Sequence, residues 1–325
     1  MRKLIIVLMV VLIVGSLCGC SNDNKFPIIS GNYVSNYDYK HKWFYNNAVM
    51  QLPSNLVGNI VIDDKNMIAK IENISINEDY LDITFHVSNR NHLPFKFDSS
   101  LIGINGYMFK AIEKDANGVH GFVRIDSLET KNVVVSVARK DLTLSCISKL
   151  GSIQAYFRLR DLNDEKSVLD TPRVVGVDTE FIDDLQEYKI EGTKVYNQGR
   201  VIITELGTRL NKVLESNEYI TDSFSTYYYI ENNTDNVLSF TGYSYSLNDE
   251  SIDFTWGNGR LSPINIELPP HTKTVTSVDI PIEYIEEHGY TLDDIKIEAG
   301  IIKIYNGSNR TSTNVKIDNI TFNYF

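Results

Sequence analysis

Six histidines and three cysteines are the residues best suited to bind a metal or attack a substrate. None of the histidines (His41, His86, His92, His120, His271 and His288) lies in a recognisable catalytic context. His86 and His92 are close enough in sequence to share an ion, with His120 as a third candidate. Zinc wants three or four ligands with second-shell support, and the sequence does not set these out. Calcium wants several oxygens on a Gly-permitted turn. Asp115 and Asn117 in Lys114-Asp-Ala-Asn-Gly118, and the cluster Asp178, Glu180, Asp183 and Asp184, each fall short of a full loop. They read as a solvated turn and a charged linker. Cys146 has apolar neighbours in Leu142-Thr-Leu-Ser-Cys-Ile147 and no His beside it, so it reads as a small buried hydrophobe. There is no G-x-S-x-G, H-E-x-x-H, P-loop or strand-linked G-x-G-x-x-G. No catalytic residue, metal or cofactor is expected.

Aromatic recognition is the stronger signal. Trp256-Gly-Asn-Gly-Arg260 places an indole near two glycines and a cation on an expected loop. Tyr227, Tyr228 and Tyr229 put tyrosines on both faces of one expected strand, and Tyr243 and Tyr245 share a face of the next. Tyr and Trp are rigid anchors at interfaces, so Trp256, Arg260, Tyr227 and Tyr229 form a candidate binding surface. The competing role for such residues is packing in the core and corners of a β-sandwich.

The elements that must position these residues follow a period of two. Leu81, Ile83, Phe85 and Val87 alternate with Asp82, Thr84, His86 and Ser88. Ile153, Ala155, Phe157 and Leu159 alternate with Gln154, Tyr156, Arg158 and Arg160. Each run predicts a strand with one face on a core and one in water. Helical patterns are short, at Asp183–Ile190 and at Ile282–His288 before Gly289.

The chain also resembles itself. A shift of 143 residues lays Leu81, Phe85 and Val87 on Phe224, Tyr228 and Ile230. It lays Asn89 on Asn232, Phe95 on Leu238, Phe97 on Phe240 and Asn105 on Asn248. At 142, Leu150 and Ile153 meet Leu292 and Ile295. Such a repeat predicts two copies of one supersecondary unit. The expected organisation is a segment 1–19, a tether with aromatic residues over 20–66, and antiparallel β-sandwiches over 67–176 and 188–325. Val177–Glu187 forms the joint, and alternation over Val315–Phe325 suggests a closing strand.

The strand ends Val87-Ser-Asn-Arg-Asn91 and Ile230-Glu-Asn-Asn-Thr234 resemble the V-x-N-x-T corner of immunoglobulin-like domains. Leu268-Pro-Pro-His-Thr-Lys273 is similar to their L-x-P-G-x-K turn, with His271 in place of Gly, and Leu128-Glu-Thr-Lys131 stands there in the first copy without the Pro. The resemblance implies a mainly β fold of tandem immunoglobulin-like antiparallel sandwiches and assigns no activity.

The N-terminus carries an address. Arg2 and Lys3 precede the apolar run Leu4–Val14, which is too short to span a bilayer and has the layout of a signal peptide. Leu17-Cys18-Gly19-Cys20 resembles the lipobox of bacterial lipoproteins. The resemblance implies cleavage after Gly19 and a diacylglycerol on Cys20, with two acyl chains sufficient for stable attachment. Cleavage removes Arg2 and Lys3 and no acid from a chain with 31 basic and 42 acidic residues, leaving −13. That charge disfavours nucleic acid as a partner. The expected protein is a lipid-anchored extracytoplasmic binding or scaffold module for a protein or envelope polymer. The alternatives are a solute-binding lipoprotein of a transporter, or a wall-acting enzyme using carboxylates that the sequence cannot pair.

Overall fold

The computed structural model describes residues 50–77, 79–115, 123–145, 147–162, 173–185, 192–215, 218–247, 250–253, 264–290, 297–306 and 311–318. In the first half the strands are β1 (Ile60–Asp63), β2 (Met67–Ile76), β3 (Tyr80–Asn89), β4 (Phe95–Ile104), β5 (Tyr107–Lys110), β6 (Ile112–Asp115), β7 (Val123–Ile125) and β8 (Thr130–Ala138). Helix α1 (Arg139–Leu144), β9 (Ser152–Asp161) and β10 (Arg173–Asp178) complete it. The second half holds β11 (Thr193–Gln198), β12 (Val201–Glu215), β13 (Glu218–Asn232), β14 (Leu238–Leu247), β15 (Glu250–Asp253), β16 (Asn265–Leu268) and β17 (Thr272–Pro281). Helix α2 (Ile282–Glu287), β18 (Ile297–Asn306) and β19 (Thr311–Asp318) follow.

These strands form a mainly β sandwich architecture. One sheet runs β1-β2-β3-β8-β6 and another β15-β14-β18-β19, with β16 beside β14. The third sheet, β10-β9-β4-β5-β17-β13-β12-β11, runs through both halves of the chain. The first core lies between the β3 sheet and the β4–β9 end of the long sheet, where Phe157 meets Phe85 at 5.4 Å and Phe97 at 4.7 Å between ring centroids. The second core lies between β13–β17 and the β14 sheet, around Tyr228, Ile230, Phe240 and Ile302. The strict alternation in β3, with Leu81, Ile83, Phe85 and Val87 buried, is what one covered face produces.

The repeat can be followed bond by bond. Buried Asn89 donates its side-chain amide to the carbonyls of Leu93 (2.9 Å), Ile125 (3.4 Å) and Asp126 (2.9 Å). Buried Asn232 donates to those of Asn236 (2.9 Å), Leu268 (2.9 Å) and Pro269 (3.0 Å). The offsets are 4, 36 and 37 residues in both cases. An Asn is needed because the site presents several carbonyls that only an NH₂ group can serve.

The geometry revises several expectations. In the later strands the offset is 145: Phe97 faces Leu159 and Phe240 faces Ile304. The counterpart of Leu268 is Ile125, so His271 matches Leu128, and both residues have φ = +57°. Residues 50–66, read from sequence as tether, belong to the first sandwich, with Met50 and Leu56 buried in its core. Val177 and Asp178 finish β10, and the helical pattern after it is a single 3-10 turn, Ile182–Asp184, within the described residues. Helix α1 has no strong sequence pattern and is held by buried Leu142. Strand β19 begins before the expected closing strand, whose residues Ile320, Phe322 and Tyr324 lie outside the described ones.

Candidate functional site

Tyr227 and Tyr229 are not on an open face. They are 5% and 7% exposed and pack into the first core cluster, although they belong to β13 of the second half. Tyr228, between them, points into the second core. Both faces of β13 are therefore covered over residues 225–230, which explains the unbroken tyrosine run. Tyr156 on β9 is the converse: with Leu101 and Met108 it joins the second core cluster from the first half. Water was expected at Tyr156 from alternation alone. Its face is instead covered by the neighbouring half, a long-range contact that local periodicity does not register.

At this joint β5 and β17 run parallel and meet at Tyr107 and Lys273. The Lys273 N–H donates to the Gly106 carbonyl at 3.3 Å, and the Thr274 hydroxyl to the Met108 carbonyl at 2.7 Å. The Lys273 ammonium sits 4.6 Å from the Tyr107 ring centroid, and the Tyr107 and Tyr229 rings meet edge to face at 6.4 Å. The tyrosines thus act as mortar between sandwiches.

Cys20, Trp256, Arg260, Cys146, His41, His120 and Asn117 lie outside the described residues. His86 bonds Asn132 at 2.7 Å, and His271 pairs with exposed Asp235 at 3.0 Å. His288 bonds the Tyr284 carbonyl at 2.7 Å. Among the described residues no group of three His, Cys, Asp or Glu side chains converges on a common point. Two of the acidic joint residues have protein partners: Glu180 accepts from Ser54, and Asp184 pairs with Lys149 at 3.1 Å. Glu205 is half-buried, and the loss of water around it raises its pKa above the ordinary 4.5.

Among the described residues the exposed large hydrophobics include Val57 and Ile60 on the incoming segment, and Leu93 and Leu128 at one of the two Asn corners. Strand β3 runs from Tyr80 to the Asn89 corner, so that corner and the Gln51–Lys149 bridge lie at opposite ends of ten-residue strands, roughly 30 Å apart. Because β5 and β17 are parallel, the Asn232 corner lies level with the Gln51 end instead. At the Asn89 corner Leu93 and Leu128 are 65% and 62% exposed. They sit on adjoining loops, joined by the hydrogen bond from the Leu128 N–H to the Asn91 carbonyl at 3.3 Å. Arg90 bonds Asp63 and the Asp64 carbonyl beside them. At the Asn232 corner the equivalent position is His271, beside an Arg200–Asp235 pair. One corner is apolar and the other is charged, which neither loop sequence announces without knowing which residues meet.

No family model and no curated protein matches the chain. Among solved structures it is similar to a protein of unknown function from Porphyromonas gingivalis W83, at 12% identity over 75% of this chain and 94% of that one, with a TM-score of 0.18. It is also similar to red sea bream transglutaminase, at 9% identity over 87% of this chain and 34% of that one, TM-score 0.18. The Salmonella enterica SafA pilin in complex with the SafB chaperone matches at 10% identity over 73% and 88%, TM-score 0.15. These likenesses are too slight to bear on activity.

Proposed function

We propose that this chain is a lipid-anchored extracytoplasmic lipoprotein, held by diacylglycerol on Cys20, whose two immunoglobulin-like sandwiches bind or scaffold a protein or envelope ligand. The observation that carries this reading is the N-terminal order of Arg2-Lys3, the apolar run Leu4–Val14 and Leu17-Cys18-Gly19-Cys20. The fold adds a direction. Gln51 is seated against Ser148 and Leu150, at the end opposite the Asn89 corner. A tether arriving there presents Leu93 and Leu128 away from the anchor. Exposed apolar residues rimmed by ion pairs suit contact with a protein surface better than with a charged polymer. Growth with an alkyne fatty acid should label the full chain and not Cys20→Ser. Absence of label on the full chain would end the anchor reading. Photo-crosslinking from the Asn89 corner should capture a partner that Leu93→Asp/Leu128→Asp loses, and unchanged capture by that variant would remove this corner from the binding surface.

A further inference from the structure

The chain arrives at the first sandwich where it later departs. The Gln51 N–H donates to the Ser148 carbonyl at 2.9 Å, and the Leu150 N–H donates back to the Gln51 carbonyl at 3.1 Å. On the departing side the Thr179 hydroxyl donates to the Leu150 carbonyl at 2.7 Å and the Thr179 N–H to the Gly151 carbonyl at 2.8 Å. Loop 148–151 is thus gripped from both sides. Ser54 then joins the two sides directly: its N–H donates to Glu180 Oε1 at 3.0 Å and its hydroxyl reaches both carboxylate oxygens at 3.3 Å. Lys149 adds an ion pair to Asp184 and stands over the Phe181 ring at 5.7 Å. Met50, Leu56 and Thr179 are buried, so this is a seated segment and not a surface ion pair alone.

We infer that residues 50–56, loop 148–151 and residues 179–185 form one clasp, a conformational device that couples the incoming N-terminal segment to the connection between sandwiches. Each outer bond alone is weak because water competes for it. Together they share one loop, and loosening either side removes support from the other. Coupling of this kind is reciprocal. The clasp does not depend on lipidation; it goes beyond the lipoprotein reading and rests on bonds among residues 50–56, 148–151 and 179–185 alone.

Hydrogen exchange on the detergent-extracted full chain tests this. Glu180→Ala should speed exchange at the Gln51 N–H, which Glu180 does not touch. Gln51→Pro should speed it at the Thr179 N–H. A change of about fivefold is expected at each, the size of one net hydrogen bond. The Asn89 N–H, bonded to the Glu129 carbonyl at 2.8 Å, should not change and so reports intact folding. If Gln51→Pro fails to fold, Ser54→Ala carries the same test with the backbone intact. Acceleration confined to the segment mutated, with the other unchanged, overturns the clasp. Running Cys20→Ser alongside separates this outcome from any failure of the anchor reading, since the clasp should persist without lipid.

Discussion

Asp82 and Ser225 occupy the same position of the two sandwiches with their hydrogen bond reversed. Asp82 on β3 accepts from the Ser136 hydroxyl on β8 at 2.5 Å, whereas Ser225 on β13 donates to Asp279 on β17 at 2.5 Å. In both cases the partners lie directly opposite each other across the ladder. Ser225 is wholly buried, on the face of β13 that carries Tyr227 and Tyr229 into the joint. A carboxylate there would lose its water, so in the second sandwich the acid stands on β17, where Asp279 keeps partial exposure.

Asp279→Ala should therefore cost about 1–3 kcal/mol, because the bond across the ladder between Asp279 and the buried Ser225 hydroxyl is lost. Asp279→Ala/Ser225→Ala should recover most of that loss. Urea melts of the three chains check it; a double variant as unstable as the single would show that the bond is not what matters.

Removing either corner amide should be more costly. Asn89→Ala and Asn232→Ala each strip three buried or part-buried carbonyls of a donor and should lose about 2–4 kcal/mol. Asn→Asp should be no better, since a carboxylate cannot donate. Equilibrium unfolding of the four variants measures this.

Leu128 and His271 hold left-handed backbone that glycine adopts without strain. Leu128→Gly should stabilise the protein by about 0.5–1 kcal/mol in thermal melts, the relief of strain exceeding the extra freedom of the unfolded chain. His271→Gly should gain less, because it gives up the contact with Asp235. Loss of capture at the Asn89 corner in Leu128→Gly, despite higher stability, would mark Leu128 as a residue kept for contact.

Glu205 sets a pH dependence with a definite sign. Its folded-state pKa is raised by burial, so the folded chain holds its proton more tightly than the unfolded one. This contribution to stability is complete below the ordinary 4.5 and is lost as pH rises through the raised value. Glu205→Gln should match the parent at pH 4 and exceed it increasingly toward neutrality. A constant difference across that range in urea titrations would refute the assignment.

Tyr229→Ala should remove the edge-to-face contact with Tyr107 and open a cavity in the joint, costing about 3–5 kcal/mol. Calorimetry should show one transition in the parent and a broadened or divided one in the variant. A single, equally sharp peak would mean that the halves are held together elsewhere.

Much of this architecture was legible in residue order because one-sided burial leaves a two-residue period. Leu81 to Val87 showed their core face directly, and Asn89 and Asn232 stood out as aligned polar residues at strand ends. The joint was not legible. Tyr227, Tyr229 and Tyr156 are covered by strands far away in sequence, and a buried tyrosine looks the same in sequence as a displayed one. Loop offsets were blurred for a related reason: insertions between strands change the shift from 143 to 145 without altering which side chains face each other. The apolar corner was missed because Leu93 and Leu128, 35 positions apart, become neighbours only through the carbonyl bonds that surround Asn89.

The parallel seam between β5 and β17 also imposes a delay on biogenesis. Thr274 is 166 residues downstream of the Met108 carbonyl that it bonds. At ribosomal speed, that stretch takes on the order of ten to thirty seconds to appear. Until the second half is in place, the first half shows Leu101, Met108 and Tyr156 bare beside an open strand edge, a surface prone to association.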